Sequence, residues 1–178
     1  MFVIPGWLIA IFTFPGVIVH EAAHMLFCRL RGIAVLDVCF LRFGNPVGYV
    51  HHERPKDFLS VFLICVAPFF VNTLLCIFFC FPAFLHERLR DQLDPLSLFL
   101  IWLGVSIGMH AFPSSQDASI LWREAGVAAR RFNPLAIVSL PIVVVIRIAN
   151  VLSVLWFDYL YGAFIGLGLP EMLLKELV

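Results

Sequence analysis

The sequence predicts a mainly α-helical membrane protein: a polytopic bundle of four transmembrane segments, or five if the last apolar stretch crosses twice. A small β-rich segment is expected after the first helix. Three observations carry this expectation. First, 62% of the 178 residues are hydrophobic and 13% are charged, against roughly 45–50% and about 25% in soluble domains. Second, the apolar residues fall in runs of about 20, the length a helix needs to cross a hydrocarbon core. Third, one stretch between the first two runs is rich in β-branched and aromatic residues and is punctuated by Gly and Pro. The chain reads as one membrane-embedded domain, 1–178. Its formal net charge is zero and it has no basic run, so composition points to the lipid bilayer and away from nucleic acid.

The first span is expected over 3–28, with Pro5 at a helix start and a kink at Pro15-Gly16. Arg29, Arg31 and Gly32 suit its C-terminus. The leading end lacks the positive region of a signal peptide, so this run is taken as retained. Residues 32–55, "GIAVLDVCFLRFGNPVGYVHHERP", read as two or three short strands. The second span covers about 58–82, and a polar turn, "HERLRDQLDP", follows at 86–95. The third span covers about 96–113. The last apolar stretch, 134–169, would rise about 54 Å as one straight helix, well beyond a core of about 30 Å. Pro141, Arg147 and Asn150 suggest a break in it. Five cysteines without a CxxC pair indicate neither a disulfide framework nor a thiolate zinc site.

Lys and Arg concentrate in the first and third connections, whereas the second carries only Arg88 and Arg90. By the positive-inside rule the first and third connections face the cytoplasm. The expected location is a multi-pass protein of the cell membrane.

Within the first span stands "HEAAH", residues 20–24. Residues four apart on a helix lie on one face, so His20 and His24 can present their rings to one metal ion with Glu21 beside them. Two zinc ligands and a general base are the mechanical content of this spacing. The competing reading is a chance match serving a polar interhelical contact, but ionisable residues inside a span are rare and usually functional.

A catalytic zinc needs a third protein ligand and an open position. Asp117, at the cytoplasmic end of the third span, can supply a carboxylate there, or it can serve as the N-cap of "ASILWREAG". His110 competes as a group supporting the site, as a structural contact or as a ligand. Cys28, one turn beyond His24, reads as a small apolar residue. His51 and His52 read as solvated. Arg147 and Asp158 are eleven residues apart, about three helical turns, so an unbroken helix would place them on one face, paired or beside a water-accessible path.

From HEAAH onward the chain resembles the site-2 protease family of intramembrane zinc metalloproteases. "GIAVLDVCFLRFG…GYV" looks like that family's β-rich segment. "APFFVNTLL" resembles its Gly-Pro-x-x-Asn element, aligning Pro68 and Asn72. "HAFPSSQDASIL" resembles its aspartate element and aligns Asp117 with the third zinc ligand. Ala67 and Ala118 stand where the family has glycine, and no Asn-Pro precedes Asp117. The resemblance covers about residues 10–125.

It implies a zinc endopeptidase that cuts membrane-anchored protein substrates in or near their transmembrane segments. In that reading His20, His24 and Asp117 hold Zn2+ and Glu21 is the base. A strand edge within 32–52 would hold the substrate. Asn72 would offer its amide to substrate or oxyanion, or else make an interhelical hydrogen bond. The alternative function is a non-catalytic zinc-binding membrane scaffold or carrier. A carrier would be expected to show a relay of ionisable groups across the bilayer or inverted repeats.

Overall fold

Residues 6–90 and 92–177 are described by a computed structural model. These residues are mostly helical, with one small two-stranded sheet. The expected helix start at Pro5 lies outside them. The first apolar run forms α1 (Gly6–Phe12) and α2 (Phe14–Leu30), separated at Thr13. The break falls two residues ahead of the expected Pro15-Gly16 kink. Pro15 sits in the first turn of α2, where its missing N–H costs nothing because that donor would have no helical partner. The helix therefore restarts before the proline. At the other end Gly32 takes φ +66°, and Ile33 N–H donates to Cys28 O at 2.9 Å. This is the left-handed closure for which glycine is favoured.

Two of the two or three expected strands form. β1 (Val35–Cys39) and β2 (Tyr49–His52) pair antiparallel, with Val35 opposite His52 and Cys39 opposite Tyr49. Asp57 then precedes α3 (Phe58–Arg90) and accepts from the Ser60 N–H at 2.9 Å and its hydroxyl at 2.7 Å. These hydrogen bonds hold the exposed Asp57 carboxyl below the usual carboxylate range. Arg31, which closes α2, donates from Nε to the same Ser60 hydroxyl at 2.9 Å and so ties α2 to α3.

At 33 residues α3 rises about 50 Å. It runs on through "HERLR" of the expected polar turn. α4 (Pro95–Gly108) begins after Asp94, which accepts from Ser97 N–H at 2.7 Å. It has 14 residues, about 21 Å of rise, and ends five residues before the expected boundary at 113. Pro113 disfavours helical geometry at Phe112, and the last carbonyls of α4 find partners outside the helix.

α5 (Ser115–Arg130) is amphipathic and packs on α6 (Pro134–Leu152). Their core, shared with α3, includes Cys65, Leu121, Ala125, Val143 and Ile146.

The 134–169 stretch does break, but later than Pro141 and Asn150. α6 passes through Pro141 and ends in a 3-10 turn, Ser153–Leu155. Trp156 then adopts φ 62°, a left-handed conformation that stops the helix. α7 (Phe157–Ala163), a π-helical stretch (Phe164–Gly168) and α8 (Leu169–Leu177) follow. The break takes Arg147 and Asp158 off any common helical face. Arg147 reaches α5 instead, donating to Ser119 Oγ at 3.3 Å. Among the described residues, two segments are long and apolar enough to cross a membrane: Phe58–Arg90, and Pro134–Leu155, which is α6 with its closing turn.

α7 lies backbone-to-backbone on α4. A Cβ added at Gly162 would stand 2.7 Å from Gly108 C and from Met109 Cα, whereas one added at Gly126 of α5 would meet nothing within 4 Å. Gly162→Ala is therefore expected to lower the thermal unfolding temperature in detergent micelles. Gly126→Ala is expected to be neutral or to stabilise by about 0.5–1 kcal/mol, the helix-propensity difference. Equal behaviour of the two variants would argue against the close α4–α7 contact.

Candidate metal centre

The site begins with a missing hydrogen bond. Pro68, inside α3, has no N–H to donate to the carbonyl four residues back. That carbonyl, Ile64 O, is bonded instead to His24 Nδ1 at 3.0 Å. A second carbonyl becomes available where α4 ends: His110 O lies 2.8 Å from His20 Nδ1. A carbonyl can only accept, so each ring carries its proton on Nδ1 and turns the Nε2 lone pair outward. Both lone pairs face the same point. His20 Nε2 and His24 Nε2 are 3.2 Å apart.

Asp117 closes the third side. It lies in the first turn of α5, held in a capping box with Ser114. Its Oδ2 accepts from Ser114 N–H at 3.1 Å and from the Ser114 hydroxyl at 2.5 Å. The same oxygen stands 3.3 Å from His24 Nε2 and 4.0 Å from His20 Nε2. Sequence posed capping and ligation as alternatives for Asp117. In the structure the cap residue is Ser114, and the capping box is what aims the Asp117 oxygen at the two rings.

Three acceptors thus converge, all within 4.8 Å of one another. Facing lone pairs repel and, once desolvated, are costly unless a proton or a cation lies between them. The donor set His20, His24 and Asp117 could hold a metal ion. His20 and His24 are buried, and imidazole with carboxylate suits first-row divalent ions.

Glu21 is also buried and makes no side-chain hydrogen bond with any described residue. The hairpin comes close to it: a Cβ at Gly48 would stand 2.7 Å from Glu21 Cγ and 3.0 Å from Oε1. Only glycine lets this backbone lie against the carboxyl group. Glu21 and the three clustered side chains line one cavity of about 630 Å³. β2 forms another wall, and its edge away from β1 has no strand partner among the described residues.

The remaining candidates take definite positions. Asn72 is fully buried and does not line the cavity. Its Nδ2 has three carbonyls around it, His110 O and Ile107 O at 3.1 Å and Gly16 O at 3.3 Å. Three acceptors around one end identify that end as the amide nitrogen. Of its two readings, the interhelical bond is the one formed: Asn72 clasps α2 and the end of α4, and shares His110 O with His20.

The His110 ring is not turned to the cluster; its Nε2 lies 2.8 Å from Thr13 Oγ1. It is the backbone carbonyl of His110 that orients His20. Cys28 is buried away from the donor set. His51 and His52 line the cavity as part of β2, which solvation alone did not anticipate.

Sequence reasoning missed Thr13, Gly16, Gly48 and Ser114. Thr13 and Ser114 left a signal, as polar groups two positions ahead of Pro15 and directly after Pro113. Gly16 allows close packing, since a Cβ there would collide with Ser106 O and the His110 ring.

No protein-family model, curated protein or solved structure matches the chain.

Supporting groups around metal ligands typically alter affinity 10–100-fold when removed. Pro68→Ala restores the helical partner of Ile64 O, and Asn72→Leu removes the amide that helps fix His110 O against His20. Each is expected to weaken divalent-metal binding by about that factor, read by chelator-competition titration of the purified protein. An unchanged dissociation constant in both would show that the two carbonyls do not orient the rings.

Proposed function

We propose that this chain is a zinc-dependent intramembrane endopeptidase of the site-2 protease kind, cutting peptide bonds in or near transmembrane segments of membrane-anchored proteins. The observation that carries the reading is the Glu21 carboxyl, free of any described hydrogen-bond partner, beside three convergent acceptors in a cavity walled by an open strand edge. A site that only stores or carries a metal has no use for that carboxyl group.

The donor set suits zinc in particular. Zn–N and Zn–O bonds of about 2.0–2.2 Å in a tetrahedron put ligand atoms about 3.3 Å apart. Two of the three separations, 3.2 and 3.3 Å, match that edge and the third, 4.0 Å, is slightly longer. With three protein ligands, one position stays open, as catalysis needs. When bound, zinc supplies a Lewis acid that activates water and polarises the peptide carbonyl.

The protein's own groups do the rest. Glu21 takes a proton from the attacking water on its carboxylate and delivers it to the departing amide nitrogen. His20 and His24 stay in the Nδ1–H form because Ile64 O and His110 O accept those protons. The free edge of β2 holds an unwound substrate segment by main-chain hydrogen bonds, which matters because a helical peptide bond has its carbonyl already engaged.

In this reading the chain spans the cell membrane four times, or five with α6 and the α7–α8 segment as separate passes. HEAAH, the β-hairpin and Asp117 lie toward the cytoplasmic side, where Arg29, Arg31, Arg42 and Arg123 also gather.

Glu21→Gln is expected to bind zinc as tightly as the parent, measured by metal content after size exclusion, and to lose cleavage of reconstituted single-span protein substrates by at least about 100-fold. Cleavage at the parental rate in that variant would remove Glu21 from the mechanism. Zinc bound by the parent without any cleavage would leave the scaffold reading.

A further inference from the structure

The cavity has a second charged end. Asp158, in the first turn of α7, lines it together with Asn150 and Ser153. The Asp158 Oδ1 atom is buried and has no hydrogen-bond partner. No Lys, Arg or His among the described residues pairs with this carboxylate. Arg147, the nearest cation along the chain, is engaged with Ser119.

The polar neighbours bring little that could replace it. Ser153 donates its hydroxyl proton to Asn150 O at 2.7 Å, and Asn150 Nδ2 donates to Ser115 Oγ at 3.2 Å. That last bond ties this end of the cavity to α5 two residues from Asp117. Arg42 also lines the cavity but sits in the hairpin, donating from Nε to Pro46 O at 2.9 Å; the Asp158 end itself offers acceptors and negative charge, and a complementary occupant there must bring donors and positive charge. A buried carboxylate oxygen without a partner is costly, so a cationic group that enters the cavity gains from meeting Asp158 Oδ1.

We propose that the Asp158 end of the cavity is a specificity site that accepts one lysine or arginine side chain of the polypeptide being cleaved. This rests on the endopeptidase reading for its occupant. The carboxylate takes the ammonium or guanidinium group, Asn150 and Ser153 offer oxygen lone pairs, and the Phe112 ring, which also lines the cavity, can cover the aliphatic stem. A cationic residue is expensive in a bilayer, so a substrate that carries one near its scissile bond is marked out among apolar segments.

The test uses the full-length, zinc-loaded protein in lipid nanodiscs and a set of Leu/Ala transmembrane peptides. Each peptide carries a single lysine or, in its matched control, norleucine, moved one position at a time. Binding is measured on the Glu21→Gln protein and cleavage on the parent. At one peptide position lysine is expected to bind at least about tenfold more tightly than norleucine. Asp158→Asn should bring that ratio close to one, and Asp158→Lys should turn the preference to a peptide with glutamate at the same position.

Equal binding of lysine and norleucine peptides at every position overturns the proposal. So does a lysine preference that survives in both Asp158 variants. The comparison on the Glu21→Gln protein itself needs no Asp158 variant to fold. Absence of cleavage by the parent with the lysine preference intact would count against the endopeptidase reading alone.

Discussion

Three lone-pair donors aimed at one point are the arrangement on which the rest of this structure depends. Left to themselves, two imidazole nitrogens and a carboxylate oxygen within 4.8 Å of one another repel, so each must be held from behind. What holds them is backbone that has lost its own helical partner. Pro68 leaves Ile64 O free for His24, the end of α4 leaves His110 O free for His20, and the start of α5 supplies the capping box that grips Asp117. In surroundings without water, an unpaired carbonyl costs several kcal/mol. The irregular backbone and the imidazole N–H groups therefore satisfy one another, and neither would be stable in this form alone.

The same logic explains the short α4. Its C-terminal carbonyls would be unpaired within the helix, and Asn72 reaches across from α3 to take Ile107 O and His110 O. Ending the helix at Gly108 lets the chain turn through Pro113 and begin α5 with Asp117 directed back at α2. Close approach makes this possible. Gly16 admits the end of α4 against α2, and Gly48 admits the hairpin against Glu21. Small residues thus set how near the polar groups come, and the polar groups set where the helices stop.

Much of this could be read from the sequence. The HEAAH spacing placed His20, Glu21 and His24 on one helix, Gly32 marked where that helix closes, and Gly44, Pro46 and Gly48 marked the hairpin. What could not be read involves backbone atoms distant in sequence. Nothing in the residue string says that the His110 carbonyl, rather than its ring, meets His20, because any residue at 110 supplies a carbonyl. Asn72 stayed open between two roles for the same reason: its partners are main-chain oxygens 35 and 56 residues away. Asp117 was framed as cap or ligand because a sequence cannot show that Ser114 is the cap and that its capping box directs the Asp117 oxygen toward the two rings. The break at Trp156 was misplaced because a left-handed tryptophan has no local signal of the kind glycine gives.

That break also decides the charge of the cavity. In an unbroken helix Arg147 and Asp158 would share a face and could neutralise one another. The left-handed Trp156 separates them, sends Arg147 to Ser119 and leaves Asp158 facing the cavity. Three carboxyl groups, Glu21, Asp117 and Asp158, then line one space, and the only guanidinium on its wall, Arg42, is exposed at the hairpin over the Tyr49 ring. The inner wall therefore presents carboxyl oxygens and imidazole nitrogens, with no Lys or Arg other than Arg42 among the described residues that line the cavity.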